Sequence, residues 1–105
     1  MDWEAAAREL GLRRSEFLEV VGLFLETSGA DLEALEEALA QGDLEGAAAR
    51  AHSLKGAAAS LQLRDIARLA LNLETAVKDA ALAEASGQVV AVREKLRELA
   101  TAAGP

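Results

Sequence analysis

The stretch DLEGAAARAHSLKGAAASLQL, residues 43–63, decides the fold. Leu44, Ala47, Ala51, Leu54 and Ala58 recur at intervals of three and four residues, the spacing of one face of an α-helix. The stretch lacks β-branched residues, and alanine, the strongest helix former, dominates the remaining positions. Asp43 follows Gly42 and is placed to cap the helix, because a carboxylate can accept a hydrogen bond from a free amide of the first turn. The helix should stop between Ser60 and Leu63.

Working outward, a second amphipathic segment starts near Arg64 and buries Ile66, Leu69, Ala70, Leu73, Val77 and Ala80. Ser86-Gly87 is expected to break the chain before a last helix carrying Val89, Val92, Leu96 and Leu99. On the N-terminal side, a long helix opens at Ser15 and ends at Gln41-Gly42. Its stripe is Phe17, Val21, Phe24, Ser28, Leu32, Leu35 and Leu39. Gly22 and Gly29 lie inside it and each weakens a helix by about 1 kcal/mol relative to Ala, which points to close helix packing or a gentle bend. Before it, Asp2 can cap a short helix running to about Leu10 and closed by Gly11, with Trp3 and Leu10 as its apolar face. The expected fold is all-α: an antiparallel up-down-up-down four-helix bundle with a short accessory N-terminal helix, one domain over residues 1–105.

Composition agrees, with 51% hydrophobic residues, 3% aromatic and a single proline at the end of the chain. The absence of cysteine excludes disulfides and thiolate metal sites, and one histidine and one methionine supply haem or carboxylate-histidine metal sites poorly. No cofactor is expected in the chain. A net charge of −7 argues against nucleic acid and anionic membrane as partners. The first residues have neither the basic start nor the apolar run of a signal peptide, and no stretch approaches a membrane span, so the protein is read as soluble and cytoplasmic. Nothing resembles a long exposed coiled-coil seam, and a monomer is expected.

The charge is uneven. From Gly46 to Leu73 the basic residues Arg50, Lys55, Arg64 and Arg68 face only Asp65, a local balance of +3 that leaves −10 for the rest. The only histidine, His52, lies in this basic island. It sits beside the core stripe, since each helical step turns about 100°, and should be partly exposed. Ala48, Ala49, Gly56 and, one turn further, Ala59 leave it in a shallow clearing, and Gly56 removes a side chain where a partner's backbone could approach.

Taken singly, a helical histidine, lysine and glutamate are ordinary solvated surface; hairpin geometry relates them. With a turn centred near Gln62-Leu63, residues 52 and 74 each lie about eleven residues from it, at the same level on antiparallel helices. Residue 74 is Glu. Its carboxylate could accept a hydrogen bond from one imidazole nitrogen, fixing the tautomer and leaving the other as a lone-pair nucleophile. Lys55, one turn along on the same face, offers a positive charge to a phosphoryl group.

The run Ala51-His52-Ser53-Leu54-Lys55-Gly56-Ala57-Ala58, followed by Leu69 and then Leu73-Glu74, resembles the signature of the histidine phosphotransfer (HPt) family of two-component phosphorelays. That pattern is a histidine with lysine three and glycine four positions later, a turn, and a second helix ending in Leu-Glu or Leu-Gln. The likeness extends to Gln41-Gly42-Asp43 and the Phe17 to Leu39 helix, most of the chain. Where the family usually has glycine ten residues after the histidine, this chain has Gln62.

The resemblance implies that His52 is phosphorylated, that Lys55 assists at the phosphate, that Glu74 orients the imidazole and that Gly56 is the clearance position. It implies a phosphocarrier and interaction module, not a free-standing enzyme. Its partners would be receiver domains of a response regulator or hybrid histidine kinase, which bring Mg²⁺ with them. The phosphoacceptor domain of a chemotaxis-type kinase is the related alternative, and a purely structural bundle the unrelated one. The same hairpin rule applied at Gly42 sets residue 32 level with His52. Leu25, Ser28, Leu32, Ala48, Ala59 and Leu71 are therefore expected within reach of a docked receiver, with Leu25 and Leu71 the exposed apolar contacts.

Overall fold

Leu73 on one helix and Leu54 on another are fully buried against Phe17, Leu35, Val77 and Val92, and this shared core sets the architecture. The computed structural model describes residues 3–103. Among them are five helices and no strand: α1 (Trp3–Glu9), α2 (Arg14–Ala40), α3 (Leu44–Ser60), α4 (Arg64–Lys78) and α5 (Leu82–Ala103). Helix α3 packs on both α2 and α4, α5 packs on α4 and α2 to close the ring, and α1 packs on α2, with an ion pair from its Glu9 to Arg64 of α4. The Asp2 cap and the Trp3 side chain fall outside the described residues. On α1, Ala7 is buried and Leu10 just after it is half-buried against the core.

All four connections close alike. After each of α1 to α4 one residue takes the left-handed backbone: Gly11 (φ 70°), Gly42 (75°), Gln62 (63°) and Ala80 (55°). The next amide reaches back five residues, Leu12 to the Ala7 carbonyl (2.9 Å), Asp43 to Ala38 (2.8 Å), Leu63 to Ala58 (2.9 Å) and Ala81 to Ala76 (2.9 Å). This backbone clasp satisfies carbonyls that a helix end leaves free, in a connection of four residues after α1 and of three after each of α2, α3 and α4. Gln62 takes the left-handed position without being glycine.

The start of α3 follows the sequence reading: Asp43 accepts from the Gly46 amide at 2.9 Å. The start of α2 lies one residue before Ser15, where the Glu16 carboxylate accepts from the Arg13 amide at 3.0 Å. Three expectations need correcting. The break between the last two helices falls at Asp79–Ala81, and Ser86 and Gly87 lie inside α5. Ala80, expected in the core, is exposed, because the turn turns it outward. Close packing does not explain Gly22 or Gly29, since a side chain added at either would meet nothing within 4 Å.

Candidate functional site

Three-residue connections on both sides fix how far α3 can slide against its neighbours, so the register predicted from the turn at Gln62 holds. The Nδ1 atom of His52 lies 3.2 Å from Oε2 of Glu74. The imidazole is 67% exposed and the glutamate side chain only 7%. Helix α4 therefore holds a buried carboxylate beneath an exposed ring on α3.

Two lysines share that carboxylate. Lys55 on α3 donates to Oε1 at 2.9 Å, and Lys78, one turn after Glu74 on α4, lies 3.1 Å from Oε2. Burial opposes the negative charge of Glu74, but the hydrogen bonds and charges of Lys55 and Lys78 outweigh it and bring the pKa down to about 2. An ionised carboxylate can only accept hydrogen bonds. The His52 nitrogen facing it must therefore carry the hydrogen, and in the neutral ring Nε2 keeps its lone pair. The result is an exposed nucleophilic nitrogen with its tautomer fixed from below.

On the opposite flank of α3, Asp31 of α2 is buried and accepts from Arg50 at 3.2 Å and from Ser53 at 3.5 Å. The basic island thus disperses in space. Lys55 turns to Glu74 and Arg50 to Asp31, while Arg64 bonds Gln62 and Glu9 and Arg68 bonds Asp65.

Gly56 is exposed, and a side chain there would enter open space. Ala59 is exposed, Leu71 is 46% exposed and Leu25 is half-buried against the core. Ser28 and Leu32, expected to face a partner, are instead core residues at 1% and 2% exposure. Both belong to the stripe already read on this helix, which α2 turns inward, so a level shared with His52 does not bring them to its surface. Ala48 is likewise buried and offers a partner little surface. The Ser28 hydroxyl has no hydrogen-bond partner among the described residues.

Sequence reasoning missed Lys78 and Asp31. The i,i+4 spacing from Glu74 to Lys78 was a readable signal, since such pairs face each other on a helix. Asp31 was readable only through the register at Gly42, which sets it level with Ser53.

Among the described residues no cluster of metal-ligating side chains occurs, and no helix is long and apolar enough to cross a membrane. A groove of about 420 Å³ is lined by Gln62, Leu63, Ile66, Lys95 and Leu99, and none of the site residues contributes to it. The His52 ring lies on the open surface and outside that groove.

The helical bundle thus displays its one histidine over a buried carboxylate, with a lysine one turn away and a glycine beside it. The sequence pattern of the Hpt domain family matches residues 19–102, from the first turns of α2 almost to the end of α5, and the chain belongs to that family. Neither a curated protein nor a solved structure matches the chain. Hpt domains are phosphorelay modules that carry and pass on phosphoryl groups and do not act as free-standing enzymes.

Proposed function

We propose that this protein is a phosphocarrier that accepts a phosphoryl group on Nε2 of His52 from an aspartyl phosphate of a receiver domain, and returns it by the same route. The observation that carries the reading is the Nδ1 to Glu74 contact at 3.2 Å under an exposed ring. The neutral ring attacks phosphorus through Nε2. The bond from phosphorus to the aspartyl oxygen breaks, and its electron pair stays on the receiver's carboxylate. The imidazole is then cationic, with its hydrogen still on Nδ1 and the Glu74 carboxylate against it. No proton needs to leave, so the reverse transfer meets the same arrangement. The receiver's Mg²⁺ and lysine supply the charge stabilisation at the phosphoryl group, and Lys55 adds to it from this chain.

Docking over His52 uses the open ground at Gly56 and Ala59, with Leu71 as an apolar contact and Leu25 at the margin. Bulk at residue 56 should obstruct it. Gly56→Arg is expected to slow transfer at least tenfold with the fold intact, whereas Gly56→Ala leaves transfer near normal and stabilises the helix by up to about 1 kcal/mol. Normal transfer by Gly56→Arg would remove the clearance role.

The test of the function is transfer from a receiver charged with acetyl phosphate, followed on phosphate-affinity gels. His52→Gln is expected to abolish acceptance and leave helicity and thermal midpoint nearly unchanged, because an exposed ring contributes little packing. Acid-labile labelling that persists in His52→Gln contradicts the assignment.

A further inference from the structure

In the resting arrangement Lys55 is engaged: its ammonium sits 2.9 Å from Glu74, a carboxylate that is almost fully buried. Serving a phosphoryl group on the far side of the imidazole requires Lys55 to let go. If it were the only cation on Glu74, its departure would strand a buried negative charge, which is costly. It is not the only one.

Lys78 lies 3.1 Å from Oε2, the same oxygen that faces His52 Nδ1 at 3.2 Å, while Lys55 holds Oε1. The two lysines come from different helices and occupy different oxygens. Lys78 reaches its oxygen from the next turn of the helix that carries Glu74, and this i,i+4 contact is independent of what α3 does.

We infer that Lys78 is the standing counter-ion of Glu74, a positioning residue that keeps the carboxylate charged and in place when Lys55 moves from it to the phosphoryl group on His52. The inference rests on the phosphocarrier reading above. Lys78 acts through Glu74, whose Oε2 it shares with His52. In the phosphorylated state Glu74 faces the Nδ1 hydrogen of a cationic ring with Lys78 beside it. The carboxylate then has one cation on each side of Oε2, and Lys55 is available to the three phosphoryl oxygens.

The probe is potassium phosphoramidate, a small donor that needs no receiver. Nε2 bonds to phosphorus, the phosphorus–nitrogen bond of the donor breaks, and ammonia leaves after taking a proton from water. Uptake is followed by ³¹P NMR, and exchange of the Nδ1 hydrogen in the phosphorylated protein by ¹⁵N-histidine NMR. Lys78→Met should slow uptake about tenfold and speed that exchange by a similar factor, the scale of one charge-assisted hydrogen bond. Lys78→Arg, which keeps the charge, should restore both to within about twofold. Lys55→Met with Lys78→Met should lose more than the product of the single losses, because Glu74 then has no lysine at all. The chain of Lys78 is 63% exposed, so the variants fold.

Wild-type uptake and exchange in Lys78→Met would overturn the inference. So would a slowing that Arg does not relieve, since that would trace to packing of the lysine chain. Failure of the wild-type protein to take up phosphorus on His52 would instead strike the carrier reading itself.

Discussion

Helix α3 is held between two buried carboxylates, Asp31 on α2 and Glu74 on α4, and only one of them serves a candidate site. Both reach α3 at about the level of His52, and both take a cation from it, Arg50 in one case and Lys55 in the other. The other partners differ. Among the described residues Asp31 has only the Ser53 hydroxyl besides Arg50, at a long 3.5 Å, and no imidazole. Glu74 has a second lysine and the imidazole. A buried carboxylate ion-paired across a helix interface is therefore not itself a sign of function. What distinguishes Glu74 is the exposed titratable ring on its free side and enough positive charge to keep it ionised beneath that ring.

The largest difference expected between the two flanks is kinetic. Glu74→Ala should slow phosphoryl transfer by about tenfold to a hundredfold, because His52 loses its fixed tautomer and the anion opposing its developing charge, while the nucleophile and Lys55 remain. Glu74→Gln should fall between, as an amide oxygen still accepts the hydrogen bond without the charge. Asp31→Ala should transfer at the normal rate and lower stability by about 1–2 kcal/mol, since Arg50 is exposed enough to return to water. Equal kinetic losses on both flanks, read in single-turnover transfer beside urea unfolding, would break the comparison.

A smaller effect lies in the acid limb of stability. The Glu74 carboxyl titrates at about 2 in the folded protein against an ordinary value of 4.5. A depressed folded value stabilises the fold at pH above the unfolded value, and that contribution is lost as pH falls from 4.5 through about 2. The stability gap between the wild type and Glu74→Gln, measured by urea unfolding, should shrink across that window and stay level above it. A gap indifferent to acid would mean that the lysines do not hold the carboxylate as described.

Much of this was legible in the sequence, and the unreadable parts share a cause. The connections at Gly11 and Gly42 announced themselves because glycine enters the left-handed region without steric cost. The last one did not. Ala80 makes the same turn as Gly42, but alanine is the commonest filler of helices, and the eye passes on to Ser86-Gly87, which lies inside α5. There the clasp from Ala81 to Ala76 and the burial of Ala76, Val77 and Ala85 around the turn outweigh a local penalty of about 1–2 kcal/mol. The pairing of His52 with Glu74 was legible because helix rise and a three-residue turn leave no freedom in level. Facing is harder. Ser28 and Leu32 belong to the core stripe of α2, and the level they share with His52 does not make them accessible to a partner. Asp31 stayed hidden because charge on a sequence reads as solvent, and its burial depends on cations from another helix.

The central claim is that Glu74 directs His52 to react through Nε2. It is tested most directly by long-range ¹H–¹⁵N spectra of the uniformly ¹⁵N-labelled phosphorylated protein, in which the ring nitrogen coupled to phosphorus is identified. The account predicts one phosphohistidine, His52, with phosphorus on Nε2 and the hydrogen retained on Nδ1. Phosphorus on Nδ1, or a phosphorylated residue other than His52, would contradict it.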